Sequence, residues 1–206
     1  MAERVVIVDY DAGNLRSVQR ACEHVGIPAE ISADPADILA ADRVIFPGVG
    51  SAASAVDTLR NRGLDVALRE FYFKGNPLLG ICLGCQIVLE FTEEGRRDCL
   101  SLVEGVCQRF DFRDRVLKVP HIGWNEVEIV QDHPLLADVA SGDEFYFVHS
   151  YYTVPTHQKN VYAMTEYGLR FCSMLGQDNL FATQFHLEKS GRMGLSILNR
   201  FKEWRC

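Results

Sequence analysis

The chain has 206 residues, 48% hydrophobic and 24% charged, a globular composition with ample side chains for a core and little reason for disorder. A net charge of −7, a pI near 5.4 and the lack of any basic run argue against a nucleic-acid partner. No apolar stretch approaches the ~18 residues of a membrane span, Met1–Val8 carries no secretory pattern, and seven cysteines is an odd number without a disulfide framework. These features predict a cytoplasmic protein without a membrane partner, residues 1–206 forming one domain.

Val5–Tyr10 reads as a buried strand and Asp11–Gly13 as a turn. Asn14 is placed to cap a helix with Leu15, Val18, Cys22 and Val25 on one face, stopped by Gly26. Ala29–Ser32 is a short strand, and Asp34-Pro35 supplies a cap and first-turn proline for a short helix. Arg43–Phe46 is the next strand; it runs into Pro47-Gly48-Val49-Gly50, with Ser51 available to cap the helix that follows. Pro77–Ile81 is a fourth strand, with a helix-like segment at Gln86–Phe91. Apolar strands alternating with helices in this way predict a parallel sheet wound by right-handed crossovers. From Ser101 the pattern changes to hairpin-like runs at 116–119, 125–130, 144–154, 161–165 and 180–185. Gly191–Trp204 is an amphipathic helix. The predicted class is α/β, a mostly parallel central sheet flanked by helices, with antiparallel strands added in the second half.

The chemistry concentrates at Gly80-Ile81-Cys82-Leu83-Gly84, where an apolar strand meets a helix. This is the pattern of a nucleophile elbow with cysteine in place of serine. A turn that sharp has no room for a β-carbon on either flank, which accounts for Gly80 and Gly84. It lifts the sulfur towards the N-terminus of the next helix, which favours thiolate. A redox pair formed by Cys82 and Cys85 is the competing reading, but it explains neither Gly80 nor what lies downstream. Zinc lacks a second ligand pair.

Downstream is Gln184-Phe185-His186-Leu187-Glu188. Alternate residues of a strand share a face, roughly 7 Å apart. Read as a strand end, this segment sets Glu188 beside His186, where a carboxylate orients an imidazole base. An isolated His-x-Glu is uninformative; coupled to the elbow it completes a Cys82–His186–Glu188 acyl-transfer triad. An oxyanion needs donors, and the candidates are the backbone N–H groups of Leu83, Val49 and Gly50. The glycines flanking Val49 let its peptide turn either an N–H or a carbonyl inward. His149 and His121 are rival bases, ranked lower because neither has an acid two residues on.

These motifs resemble those of the class I, triad-type glutamine amidotransferases. More narrowly, Asp11–Asn14, Pro120–Asn125, Tyr146–Tyr151 and Glu188–Ser190 are similar to the glutaminase subunits of imidazole glycerol phosphate synthase, and the likeness runs from Val5 to the last helix. The resemblance implies a flavodoxin-like sheet and hydrolysis of glutamine through a γ-glutamyl thioester on Cys82, with no cofactor and no metal. It implies glutamine-binding roles for Gln86 and Glu94 and a pocket lined by Gly50, His149, Ser150 and Tyr151. It also implies a (β/α)8-barrel cyclase partner that consumes the ammonia in histidine biosynthesis, faced by Asn14, Trp124, Tyr146 and Lys189. Cys85 and Leu187 stand where the family usually has methionine and proline, and both are expected to face packing. Three alternatives stay open: a paralogue feeding ammonia to a sugar-modifying synthetase, a cysteine peptidase of related fold, and a silent binding module. The silent module is disfavoured because all three triad residues are present.

Overall fold

The structure is a computed structural model that describes residues 3–112 and 117–206. Strands β1 (Val5–Val8), β2 (Ala29–Ser32), β3 (Arg43–Gly48) and β4 (Leu78–Cys82) alternate with helices α1 (Leu15–His24), α2 (Pro35–Ala40), α3 (Ala52–Arg62) and α4 (Leu64–Phe73). Then come α5 (Leu83–Ile87), β5 (Phe91–Thr92), β6 (Arg97–Asp98), β7 (Gly105–Arg109), β8 (His121–Glu126) and β9 (Glu128–Ile129). β10 (Glu144–His149), β11 (Tyr151–Pro155), β12 (Val161–Glu166), β13 (Arg170–Gln177), β14 (Leu180–Thr183) and α6 (Gly191–Glu203) complete the described elements.

Strands β2-β1-β3-β4-β14 run parallel, and β13, β11 and β7 continue the sheet antiparallel. The inner strands β1, β3, β4 and β14 are buried along their whole length because both faces are covered, whereas the edge strand β2 leaves Glu30 exposed. On β1, Val6 and Val8 pack with Ile38, Leu59 and Phe71 of α2, α3 and α4. Val5 and Ile7 point the other way, towards Val18 and Cys22 of α1 and Ile197 and Phe201 of α6. The predicted α/β class, with its antiparallel elaboration, is what forms.

Several local expectations change. Asn14 stands at the N-cap of α1, but in a left-handed conformation (φ 74°) and without a side-chain cap bond. Ser51 makes no cap bond either; the Glu94 carboxylate accepts from the Ala52 N–H at 2.7 Å instead. The helix after the elbow is α5, ending at Ile87, and Phe91 belongs to β5, paired with β6 and β7. Residues 144–154 are two strands broken at Ser150: β10 pairs with β8 in a separate two-stranded sheet, and β11 joins the main sheet. Residues 125–130 break at Val127. Val116 lies outside the described residues, and 117–119 form no strand.

Candidate active site

Sheet register assembles the site. β4 lies between β3 and β14, with Gly48 paired to Cys82 and Thr183 to Ile81. The glycine-rich loop, Cys82 and the His186 segment therefore leave the same edge of the sheet from neighbouring strands, each ~5 Å apart. A β-carbon on Gly84 would sit 1.8 Å from the Phe46 carbonyl oxygen, and one on Gly80 2.9 Å from the Ala182 β-carbon. Only glycine lets α5 turn this closely over β3. Cys82 takes φ 53°, ψ −102°, a strained conformation for a residue with a side chain. Cys85, three residues on, is fully buried, and burial pushes its thiol well above the usual cysteine range.

His186 and Glu188 meet by a different route from strand alternation. β14 ends at Thr183, and Leu187–Lys189 forms a 3-10 turn that brings Glu188 Oε1 to 2.8 Å from His186 Nδ1. The turn is held by the His186 N–H on the Tyr146 carbonyl (3.0 Å) and by the Ser190 hydroxyl, which donates to the His186 carbonyl at 2.6 Å. Leu187 is fully buried. His186 Nε2 is buried with no hydrogen-bond partner. Burial lowers the imidazole pKa, but the Cys82 and Glu188 charges and hydrogen-bonding groups override it and raise it to about 10.

A cleft of about 550 Å³ opens over Cys82 and is lined by Val49, Gly50, Leu83, Gln86, Glu94, His149, Ser150 and Tyr151. On its Cys82 side, Leu83 is the first residue of α5, so its N–H has no intrahelical acceptor. Gly50 has φ 106° with open space where a β-carbon would be, so the Val49–Gly50 hinge is unobstructed. Gln86 commits both N–H groups to the protein, donating to the Tyr151 carbonyl at 3.0 Å and to Gln184 Oε1 at 3.1 Å. A carbonyl can only accept, which fixes the amide orientation and leaves Gln86 Oε1 as the acceptor for a ligand.

Asn14 and Lys189 also line the cleft. Asn14 donates its amide to Glu188 Oε1, the oxygen that His186 uses. Trp124 and Tyr146 lie outside the cleft, on the outer face of the β8–β10 pair. Their rings are 6.0 Å apart, Lys189 Nζ is 5.8 Å from the Tyr146 ring centre, and Trp124 is 52% exposed. His149 and His121 are kept neutral by burial, which pushes them down to about 3 and about 4. Neither is suited to act as base.

Two residues escaped sequence reasoning. Gln184 is fully buried and turns its amide N–H towards Cys82 Sγ at 4.0 Å; its position two before His186 was the available signal. Tyr10 donates to the Pro47 carbonyl at 2.8 Å and fills the space where a Gly48 side chain would lie, pinning the near end of the glycine-rich loop. No pattern in the sequence announces it.

Residues 6–203 match the family model for glutamine amidotransferase class-I. The chain is 50% identical over 205 residues to "Imidazole glycerol phosphate synthase subunit HisH" of Desulfovibrio desulfuricans, covering 97% of this chain and 94% of that protein. It is 48% identical over 204 residues to the protein of the same name from Methanosarcina acetivorans, covering 98% of each. A crystal structure of a glutamine amidotransferase from Thermotoga maritima matches the fold with a TM-score of 0.65 at 17% identity, over 94% of this chain and 79% of that one. The family model over residues 6–203 and relatives 45–50% identical along nearly the whole chain lead to one conclusion: the chain belongs to the class-I glutamine amidotransferase family, among the HisH-type subunits.

Proposed function

We propose that this protein is the glutaminase subunit of imidazole glycerol phosphate synthase, releasing ammonia from glutamine for histidine biosynthesis in the cytoplasm, with residues 1–206 working as one amidotransferase domain. The observation that carries this reading is the His186–Glu188 pair at 2.8 Å, set beside Cys82 in a cleft that also presents the open Gln86 acceptor. The matched relatives favour it over the sugar-modifying paralogue and the peptidase.

In this reading the Cys82 thiolate attacks the side-chain amide carbon of glutamine, and the electron pair of the C=O bond moves to oxygen. The N–H groups of Leu83 and of Val49 or Gly50 stabilise that oxyanion. His186, as imidazolium, gives its Nε2 proton to the departing nitrogen, the C–N bond breaks, and ammonia leaves a γ-glutamyl thioester. His186 then takes a proton from water, which attacks the thioester carbon and releases glutamate and the thiolate. Glu188 holds the ring orientation throughout. Gln86 and Glu94, with Gly50, His149, Ser150 and Tyr151, bind the rest of the glutamine.

The ammonia acceptor is a (β/α)8-barrel cyclase docked on the face that carries Asn14, Trp124, Tyr146 and Lys189. Exposure of Trp124 and Ile122 on one strand face supports such an interface. Released into water, ammonia would become unreactive ammonium, which gives the docking its chemical purpose. The test is glutamate release by the chain alone and with barrel cyclase and its nucleotide substrate. The complex is expected to be faster by about a hundred- to a thousandfold, the worth of one oxyanion donor. Cys82→Ala and His186→Ala should abolish release, Glu188→Gln should cost less, and ammonium salts should still drive the cyclase in each. An active Cys82→Ala, or His149→Ala worse than His186→Ala, would overturn the assignment.

A further inference from the structure

The two-stranded sheet of β8 and β10 turns one face to solvent and the other inward. His121 and His149 are directly opposed on the inner face, where their rings make a hydrogen bond that glutamine chemistry does not use. His121 Nδ1 lies 3.0 Å from His149 Nε2. His149 Nδ1 lies 2.8 Å from the Tyr151 carbonyl, and His121 Nε2 lies 3.3 Å from Asn125 Nδ2. Asn125 Nδ2 also donates to the Glu166 carbonyl at 2.9 Å, while its Oδ1 accepts from the Glu126 N–H at 2.9 Å.

Every proton in this chain can be assigned. The Tyr151 carbonyl only accepts, so His149 carries its proton on Nδ1, and its Nε2 must accept. His121 therefore donates from Nδ1, and its own Nε2 accepts from Asn125, whose amide is oriented by the Glu166 carbonyl and Glu126 N–H. All N–H bonds point one way, from Asn125 through both rings to the Tyr151 carbonyl. That same carbonyl receives Gln86, which donates on to Gln184, whose amide faces Cys82. If His149 reversed its tautomer, a lone pair would face a lone pair at Tyr151, and the acceptor that orients Gln86 would move; if His121 reversed, it would set a lone pair against His149 Nε2 and remove the donor that holds His149 in its tautomer.

We propose that His121 and Asn125 are positioning residues: by fixing the tautomer of His149 they hold the Tyr151 carbonyl, and through it the Gln86 and Gln184 amides that face substrate and nucleophile. The inference rests on the glutaminase reading for its kinetic consequence, but not for its structural one. The rings are well placed for this role. His121 stacks on Tyr167 (centroids 3.9 Å apart) and Phe147 (4.9 Å), and His149 is walled by Phe110, Phe147 and Phe171. The titratable neighbours acting on His149 are His121 and His186, and both oppose its protonation. The neutral form that the chain requires is the form the surroundings enforce.

The test has two arms on the full-length protein. Nitrogen-15 correlation spectra of the imidazoles at neutral pH should show both His121 and His149 as neutral Nδ1–H tautomers, the rarer form in water. An Nε2–H form or a charged ring at either residue would overturn the chain. In the second arm, His121→Phe keeps the stacking but cannot donate. It is expected to lower kcat/KM for glutamine about tenfold, the scale of one buried hydrogen bond, while ammonium-driven product formation in the complex is unchanged. His121→Gln, which can donate and accept, should restore the rate to within about twofold of wild type on the same scale. His121→Phe equal to wild type, or His121→Gln no better than His121→Phe, would sink the proposal. Should His121→Phe not fold, Asn125→Asp serves at a half-exposed position. It removes the donor, and His121 should turn to the Nε2–H tautomer with the same loss of rate; an unchanged tautomer and rate would count against the idea. A wild-type complex that releases no glutamate would defeat the glutaminase reading instead, and the spectra would still decide the chain.

Discussion

At Cys82 the backbone is bent to φ 53°, ψ −102°, a conformation that costs a residue with a β-carbon about 1–3 kcal/mol. The neighbouring glycines show what imposes it: with 1.8 Å between a Gly84 β-carbon position and the Phe46 carbonyl oxygen, α5 has one way to leave β4. Cys82 is therefore a site where stability is given up to set a side chain at the floor of the cleft. Substituting Cys82 with glycine should raise the melting temperature relative to Cys82→Ala, the reverse of the usual order, in which glycine loses about 0.5–1 kcal/mol to alanine. Both variants should be inactive. Alanine as stable as glycine at this position would mean the elbow is not strained. Cys85→Ala should keep most of the glutaminase activity, because its sulfur is sealed in the core.

Among the elements, legibility followed the agreement of local signals. The strands β1 to β4 and their helices could be read because caps, prolines and apolar runs agree; the Asp34 side chain accepts from the Ala36 N–H at 2.8 Å as its sequence position suggests. β13, at eight residues the longest strand among the described residues, was missed. Arg170–Gln177 is buried on both faces from Phe171 to Gly176, so it has no alternation, and its cysteine, serine and glycine mask the apolar run. Residues 144–154 look like one strand because nothing in Ser150 signals a change of sheet. The cleft residues were nearly all nameable from motifs, whereas the His121–His149 and Tyr10–Pro47 contacts join separate segments and leave no local trace. The 3-10 turn Pro134–Leu136 carries a further consequence. His133 caps it through Nδ1, and its ring stacks on Phe181 (centroids 4.4 Å apart) and meets Trp204 edge-on at 5.1 Å. Burial depresses its pKa to about 4. A depressed value means the unfolded chain binds the extra proton, so this contribution is complete above the unfolded pKa near ~6.5 and is lost as pH falls towards 4. Unfolding free energy should decline across that window. His133→Asn, which preserves the cap, should flatten the decline by at most about 1.4 kcal/mol per pH unit. An unchanged slope in denaturant titrations at pH 4.5, 5.5 and 6.5 would contradict this.

At the scale of the whole molecule, the site depends on strand order more than on any single loop. β3, β4 and β14 are neighbours in the sheet, yet Cys82 and Gln184 stand 102 residues apart in the chain. The stretch between them builds the antiparallel wing and the β8–β10 sheet, which returns the His149 segment to the cleft and the Tyr146 carbonyl to the His186 N–H. The β4–β14 pairing also has a consequence in time. Closing a segment of this length costs about 4 kcal/mol of chain entropy before any ladder contact compensates it. The βα units ahead of β4 join strands close in sequence and face a smaller barrier of this kind. On dilution from urea, helical circular dichroism should recover first, and glutaminase activity should follow in a slower phase set by the arrival of β14. Simultaneous recovery of both signals in a single exponential would mean that catalytic competence is not the last thing this chain acquires as it folds.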